Sequence, residues 1–197
     1  MDHETPTRSS PLRFIVITAA AKRTLASLCH HYLMSWQLAQ VNVGRLRAPV
    51  DDPMIADFKN ALDRINALAD GTPGFVWRLQ TEEGNATSLR PVEDDELVAI
   101  NMSVWESIEA LGDYVYRSDH TAFLRRRREW FQRYGSAFVA LWWVPTGHIP
   151  SIDEAFERLA QLEAAGPSAF AFTFRHPFPP PDVDGVLEVN ELDACPA

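Results

Sequence analysis

Asn101 stands two residues before Ser103, a spacing that puts both on one face of a strand, and the pair could hydrogen-bond a ligand. An asparagine satisfying backbone groups at a strand end is the competing reading. Trp77, Trp105 and Trp143 could wall a pocket, and indoles of this size equally serve as core or interface. His120 follows Ser118-Asp119 at a helix start, where an imidazole either ligates and moves protons or makes a local hydrogen bond. His148, in a Gly-His-Ile-Pro turn, reads as a brace for the helix that follows. Arg125 to Arg128 wrap once around a helix and point in all directions, so a solvated surface is expected rather than an anion clamp. Glu106 and Glu109 share a helix face, but Glu106 is assigned to a capping box, so no acid/base pair is assigned.

Other chemistries lose their usual entry points. The chain has no GxGxxG, Walker loop, HExxH or GxSxG, which leaves dinucleotide, NTP, zincin and α/β-hydrolase readings unsupported. A formal net charge of -9 argues against a nucleic-acid partner, and no apolar run reaches the ~20 residues of a membrane span. Cys29 and Cys195 form no CxxC, so a reducing cytoplasm is the expected setting.

Regular elements must position these residues. Trp36 to Val43 reads as a strand leaving through Gly44. Asp52 caps a helix with Pro53 at its first position, and Ile55, Phe58, Leu62, Ile65 and Leu68 recur at helical spacing until Gly71. Phe75, Trp77 and Leu79 alternate as a strand, and Thr81 to Asp95 is either a hairpin loop or ragged strand ends. Leu97 to Met102 is the next strand, after which Ser103 and Glu106 predict a capping box opening a helix with Ile108, Leu111 and Val115. Ser118-Asp119 predicts a break before a helical stretch with Phe123, Leu124, Trp130 and Phe131. Ala137 to Val144 is a strongly apolar strand, Ser151 and Glu154 cap a last helix, and Phe170, Phe172 and Phe174 predict a final strand.

This order predicts one α+β domain, a ferredoxin-like antiparallel sheet with helices on one face. The other face would stay open and aromatic, and such a face asks for a second copy. Residues 1–33 are expected to be an extension, disordered or placed before a true start at Met34, although Phe14 to Ala21 has some signal-peptide character. Residues 34–178 form the domain, and 179–197 are an acidic, Pro-rich tail.

Three runs carry a resemblance: Trp36-Gln-Leu-Ala-Gln-Val-Asn42, Gly74-Phe-Val-Trp-Arg-Leu79 and Leu141-Trp-Trp-Val-Pro-Thr-Gly-His-Ile-Pro150. With Asn101 to Leu111, Tyr116 and Ser118 to His120, the chain from 34 to about 178 resembles a bacterial family of unknown function in the dimeric α/β barrel superfamily. That superfamily includes antibiotic-biosynthesis monooxygenases and haem-degrading oxygenases. The resemblance implies a homodimer formed sheet to sheet, with a pocket between each sheet and its helices for a small apolar or aromatic ligand. Asn42 and Trp105 match, by type and location, the asparagine and tryptophan that hold an oxidisable aromatic substrate in the cofactorless members. The implied activity is a cofactor-independent monooxygenase acting on phenols or quinols. A non-catalytic ligand-binding or stress-associated protein is the alternative, and a haem-binding protein using His120 is the third expectation. Candidate binding residues are therefore Asn42, Trp77, Asn101, Trp105, His120 and Trp143.

Overall fold

The structure, a computed structural model, describes residues 35–93, 95–133 and 137–181; the expectations for residues 1–33 and for most of the tail lie outside them. Four strands are formed: β1 (Trp36–Arg45), β2 (Phe75–Arg78), β3 (Val98–Trp105) and β4 (Val139–Pro145). Four α-helices join them: α1 (Ala56–Asp70), α2 (Ile108–Arg117), α3 (His120–Trp130) and α4 (Ile152–Ala165). The sheet order is β2-β3-β1-β4 with every pair antiparallel. This is the ferredoxin-like α+β arrangement that the order of elements predicts. Among the described residues no helix is long and apolar enough to cross a membrane.

Local chemistry explains the boundaries. Asp52 accepts a hydrogen bond from the Met54 amide at 2.8 Å, and Pro53 opens the 3-10 turn that leads into α1. Ser118 ends α2: its hydroxyl donates to the Tyr114 carbonyl and accepts from the His120 amide, so one side chain closes a helix and starts the next. Ser151 caps α4 by accepting from Glu154 N. Gly74, at φ 82°, lets the chain turn into β2 where a β-carbon would lie 2.6 Å from that of Ala110.

Three local expectations need correction. Ser103 does not cap a helix: β3 continues through it to Trp105, and Ser107 is the cap, accepting from the Ala110 amide. The stretch from Phe170 to Phe174 makes only one bridge to the sheet, Leu141 with Phe172, because Phe172 alone exchanges both backbone bonds with β4. On β2, Phe75 and Trp77 do not share a face. A register shift between them turns Phe75 toward Trp105 and Trp77 toward the opposite core.

Alternation divides the sheet into two faces. Helices α1, α2 and α3 cover the face carrying Leu38, Trp105 and Leu141, as the sequence predicts. The face expected to be open is instead buried within the single chain. Ala39, Val41, Val43, Ile100, Met102, Val104, Ala140 and Trp142 are each at most 5% exposed, and Ala155 and Leu159 of α4 pack among them. The aromatic surface that called for a second copy is thereby covered by the chain's own added helix.

Candidate functional site

Strand pairing arranges the helix-side face in rows. Trp143, Leu38, Trp105 and Phe75 form the first, across all four strands. Leu141, Gln40, Ser103 and Arg78 form the second. Val139, Asn42 and Asn101 form the third. An aromatic row thus borders two polar ones, in the middle of a face that the helices otherwise make apolar.

A closed relay joins the first two rows. Trp105 Nε1 donates to Ser103 Oγ at 2.8 Å, and Ser103 donates in turn to Gln40 Oε1 at 2.8 Å. All three residues are buried, so each bond also removes the cost of an unpaired polar group. The relay fixes the amide of Gln40: its oxygen accepts from Ser103, so its NH2 group faces away, along the strand face.

The third row is different. Asn42 and Asn101 are direct partners across β1 and β3, the two inner strands, and among the described residues neither side chain has a hydrogen-bond partner. Asn42 is half-buried and Asn101 is exposed. Asn101 ends its row, because β2 pairs with β3 only from Ser103 to Trp105, so its exposed side chain lies at the flank of the sheet that β2 leaves open. Two apolar clusters pack on this face of the sheet. One is built on Trp105, Leu111 and Phe172; the other joins Phe58, Phe123, Trp130 and Phe131. Phe58 meets Phe131 edge-on at 5.2 Å, and Phe123 lies 4.7 Å from Trp130. Amides on the same sheet face as aromatic clusters are the residue types that small-molecule sites combine.

The other candidates sort themselves around this floor. Trp105 is fully buried, edge-on to Phe75 at 5.3 Å and stacked on Tyr114 at 5.2 Å, so it supports the relay from beneath instead of offering a free wall. The His120 ring lies 4.6 Å from that of Tyr114, and its Nδ1 faces the Val115 carbonyl at 3.5 Å. Burial lowers its basicity, and the Val115 contact only partly opposes this. The His120 ring is thus engaged locally, by the Tyr114 ring and the Val115 carbonyl, which is the local hydrogen-bonded alternative of the sequence reading. Burial likewise raises the Tyr114 phenol well above its ordinary range. Trp77 packs in the α4-side core, on the opposite face from Asn42 and Asn101. Trp143 lies on the same face but beyond the relay, at the edge strand.

The bland readings of two further residues hold. His148 Nε2 pairs with Glu154 at 2.8 Å, and Glu154 also accepts from Trp142 Nε1 at 2.8 Å, bracing the start of α4. Burial pushes the Glu154 carboxyl up, but the bonds from His148 and Trp142 outweigh it and hold the group below the ordinary range. Arg126 is engaged by Glu129 and Asp57 and lies over Trp130, so it makes no anion clamp. Gln40 was the residue that sequence reasoning missed. Its signal was the pattern Gln40-x-Asn42 opposite Asn101-x-Ser103, visible once two strands 63 residues apart are known to pair.

These features define a ferredoxin-like α+β protein with a polar floor between its sheet and helices. The chain belongs to the family described as domain of unknown function DUF3291, whose model matches residues 37–188. No curated protein matches it. It is similar to two solved structures of SnoaB, a cofactor-independent oxygenase from Streptomyces nogalater. One is 17% identical with a TM-score of 0.41, covering 58% of this chain and 98% of that one. The other, an asparagine-to-alanine variant, is 15% identical with a TM-score of 0.39, covering 57% and 95%.

Proposed function

We propose that this protein binds a planar phenol- or quinol-type molecule above Asn42 and Asn101 and oxygenates it without a cofactor. The observation that carries the reading is the pair of amides without a hydrogen-bond partner among the described residues, in register on inner strands and reachable from solvent. Their NH2 groups are suited to hold a ligand oxyanion, and the neighbouring aromatic clusters are suited to its ring. The reaction follows from the ligand's own chemistry. In anthrone-like phenols, the members of this class that carry an activated CH2, that CH2 loses a proton to water, the carbanion passes an electron to dioxygen, and the radical pair combines to a hydroperoxide. Loss of water then leaves a carbonyl, so that CH2 and O2 become C=O and H2O. The protein's part is to stabilise charge on the ligand oxygen, an effect worth about 2 to 4 kcal/mol per positioned donor.

A second reading, binding without turnover, is favoured by one observation: among the described residues no ionisable group is hydrogen-bonded to either asparagine. Oxygen uptake separates the two. With purified, metal-stripped protein and a panel of hydroquinones, catechols and anthrone-like phenols, uptake above autoxidation should fall roughly tenfold in Asn101→Ala. Saturable binding that weakens in the same variant, with no uptake by either form, selects the binding reading. Neither uptake nor binding across the panel refutes both. The proposal needs no second copy, since both sheet faces are covered within one chain.

A further inference from the structure

A groove of about 300 Å³ opens at the far end of the helix-side face, lined by Ile108, Glu109, Trp143, Phe178 and the prolines 177, 179 and 180. It is separate from the asparagine floor, because the buried Leu141 and the Gln40–Ser103 relay lie in the row between them. Its volume is at the lower end of small-molecule sites. We infer that this groove is a second binding site, for a small organic cation with an apolar body, such as a quaternary ammonium group.

The lining's chemistry sets the ligand class. Indole and phenyl rings with proline and isoleucine supply an apolar wall, and the face of an aromatic ring attracts a cation lacking N–H bonds. Glu109 brings the only formal charge in the lining. Donors are scarce. Prolines have no amide N–H, and the Trp143 Nε1 proton is already given to the Phe178 carbonyl at 2.8 Å. That bond also fixes the wall, holding the proline segment against β4, while Phe178 packs 6.0 Å from Phe172. The start of α2 carries partial positive charge at Ile108 and Glu109, which would favour an anion, but the Glu109 carboxylate lies in that first turn and meets it. The formal net charge of -9 adds a long-range preference for cations.

Ligand-observed NMR titration tests this with choline, with its neutral isostere in which tert-butyl replaces trimethylammonium, and with inorganic phosphate. Choline should bind saturably in the low millimolar range or better and at least about tenfold more tightly than the neutral isostere, since a cation–π contact with a carboxylate partner is worth that factor. Glu109→Gln, at an exposed position, should weaken choline about fivefold or more while the fold is unchanged by circular dichroism. Trp143→Leu, which keeps the apolar bulk, should weaken it further. Equal binding of choline and its isostere, binding of phosphate in preference to choline, or no saturation by choline at about 50 mM would each overturn the inference.

Discussion

Beneath α4 the sheet presents Ala39, Val41, Val43, Ile100, Met102, Val104 and Trp142, an unbroken apolar surface packed by Ala155 and Leu159. Beneath α1 to α3 the same strands present Gln40, Asn42, Asn101 and Ser103 alongside two aromatic clusters. Both faces come from the same alternating segments. One is spent on stability alone, whereas the other keeps amides where aliphatic side chains would pack better. The proposed site lies on the second of these faces, and substitutions on the two faces should separate accordingly.

The largest effect belongs to the dry face. Trp142 is fully buried, and its indole N–H is bonded to Glu154. Trp142→Ala should destabilise the chain by about 3–5 kcal/mol, lowering the thermal midpoint by roughly 10 °C for a chain of this size. Differential scanning calorimetry measures it. A loss under about 1 kcal/mol would mean that α4 does not close this face in solution.

The relay comes next. Ser103→Ala strands the Trp105 N–H and the Gln40 oxygen in a buried place and should cost about 2 kcal/mol. Adding Gln40→Leu should recover part of the loss, because the double variant no longer holds an unpaired carbonyl. Strictly additive losses in chemical denaturation would show that the two side chains are not coupled.

A smaller effect follows from Glu154. Its folded-state carboxyl is held below the usual 4.5, so the stability it contributes is present above that value and lost as pH falls through the lowered one. The advantage of the native chain over Glu154→Gln in thermal midpoint should therefore be full at about pH 6 and shrink toward about pH 3. An advantage that grows on acidification contradicts the assigned sign.

How much of this was readable beforehand depended on how local the cause was. Asp52-Pro53, Ser151 and the stripe from Ile55 to Leu68 set their own helices through bonds and spacings a few residues apart, and these elements stand where the sequence places them. Ser103 misled because Ser-x-x-Glu is also what a buried strand residue followed by a loop can spell; its partner, Gln40, lies on another strand. The shift on β2 that parts Phe75 from Trp77 has no marker in an alternating segment. Covering of the second face by α4 was hidden for the same reason, since an apolar stripe shows that a helix packs and not which side of the sheet it packs on. Asn42 and Asn101 were each visible as candidates, but that they are cross-strand partners is a property of register alone.

The smallest effect on stability has the opposite sign and bears most directly on the comparison. Asn101 sits mid-strand on β3, exposed, with no side-chain partner among the described residues, so it adds little that a strand-favouring residue would not add better. Asn101→Val should raise stability by about 0.5 kcal/mol, a midpoint gain of roughly 1 to 2 °C, because a β-branched side chain suits the pleated surface beside Asn42. The same change removes an amide donor from the floor, and ligand binding should fall roughly tenfold, the loss expected for one well-placed hydrogen bond. A gain in stability joined to a loss of binding is what a residue kept for function produces. Were Asn101→Val to destabilise the chain by about 1 kcal/mol or more, the asparagine would instead be a structural member of the sheet, and the polar floor would be packing by other means.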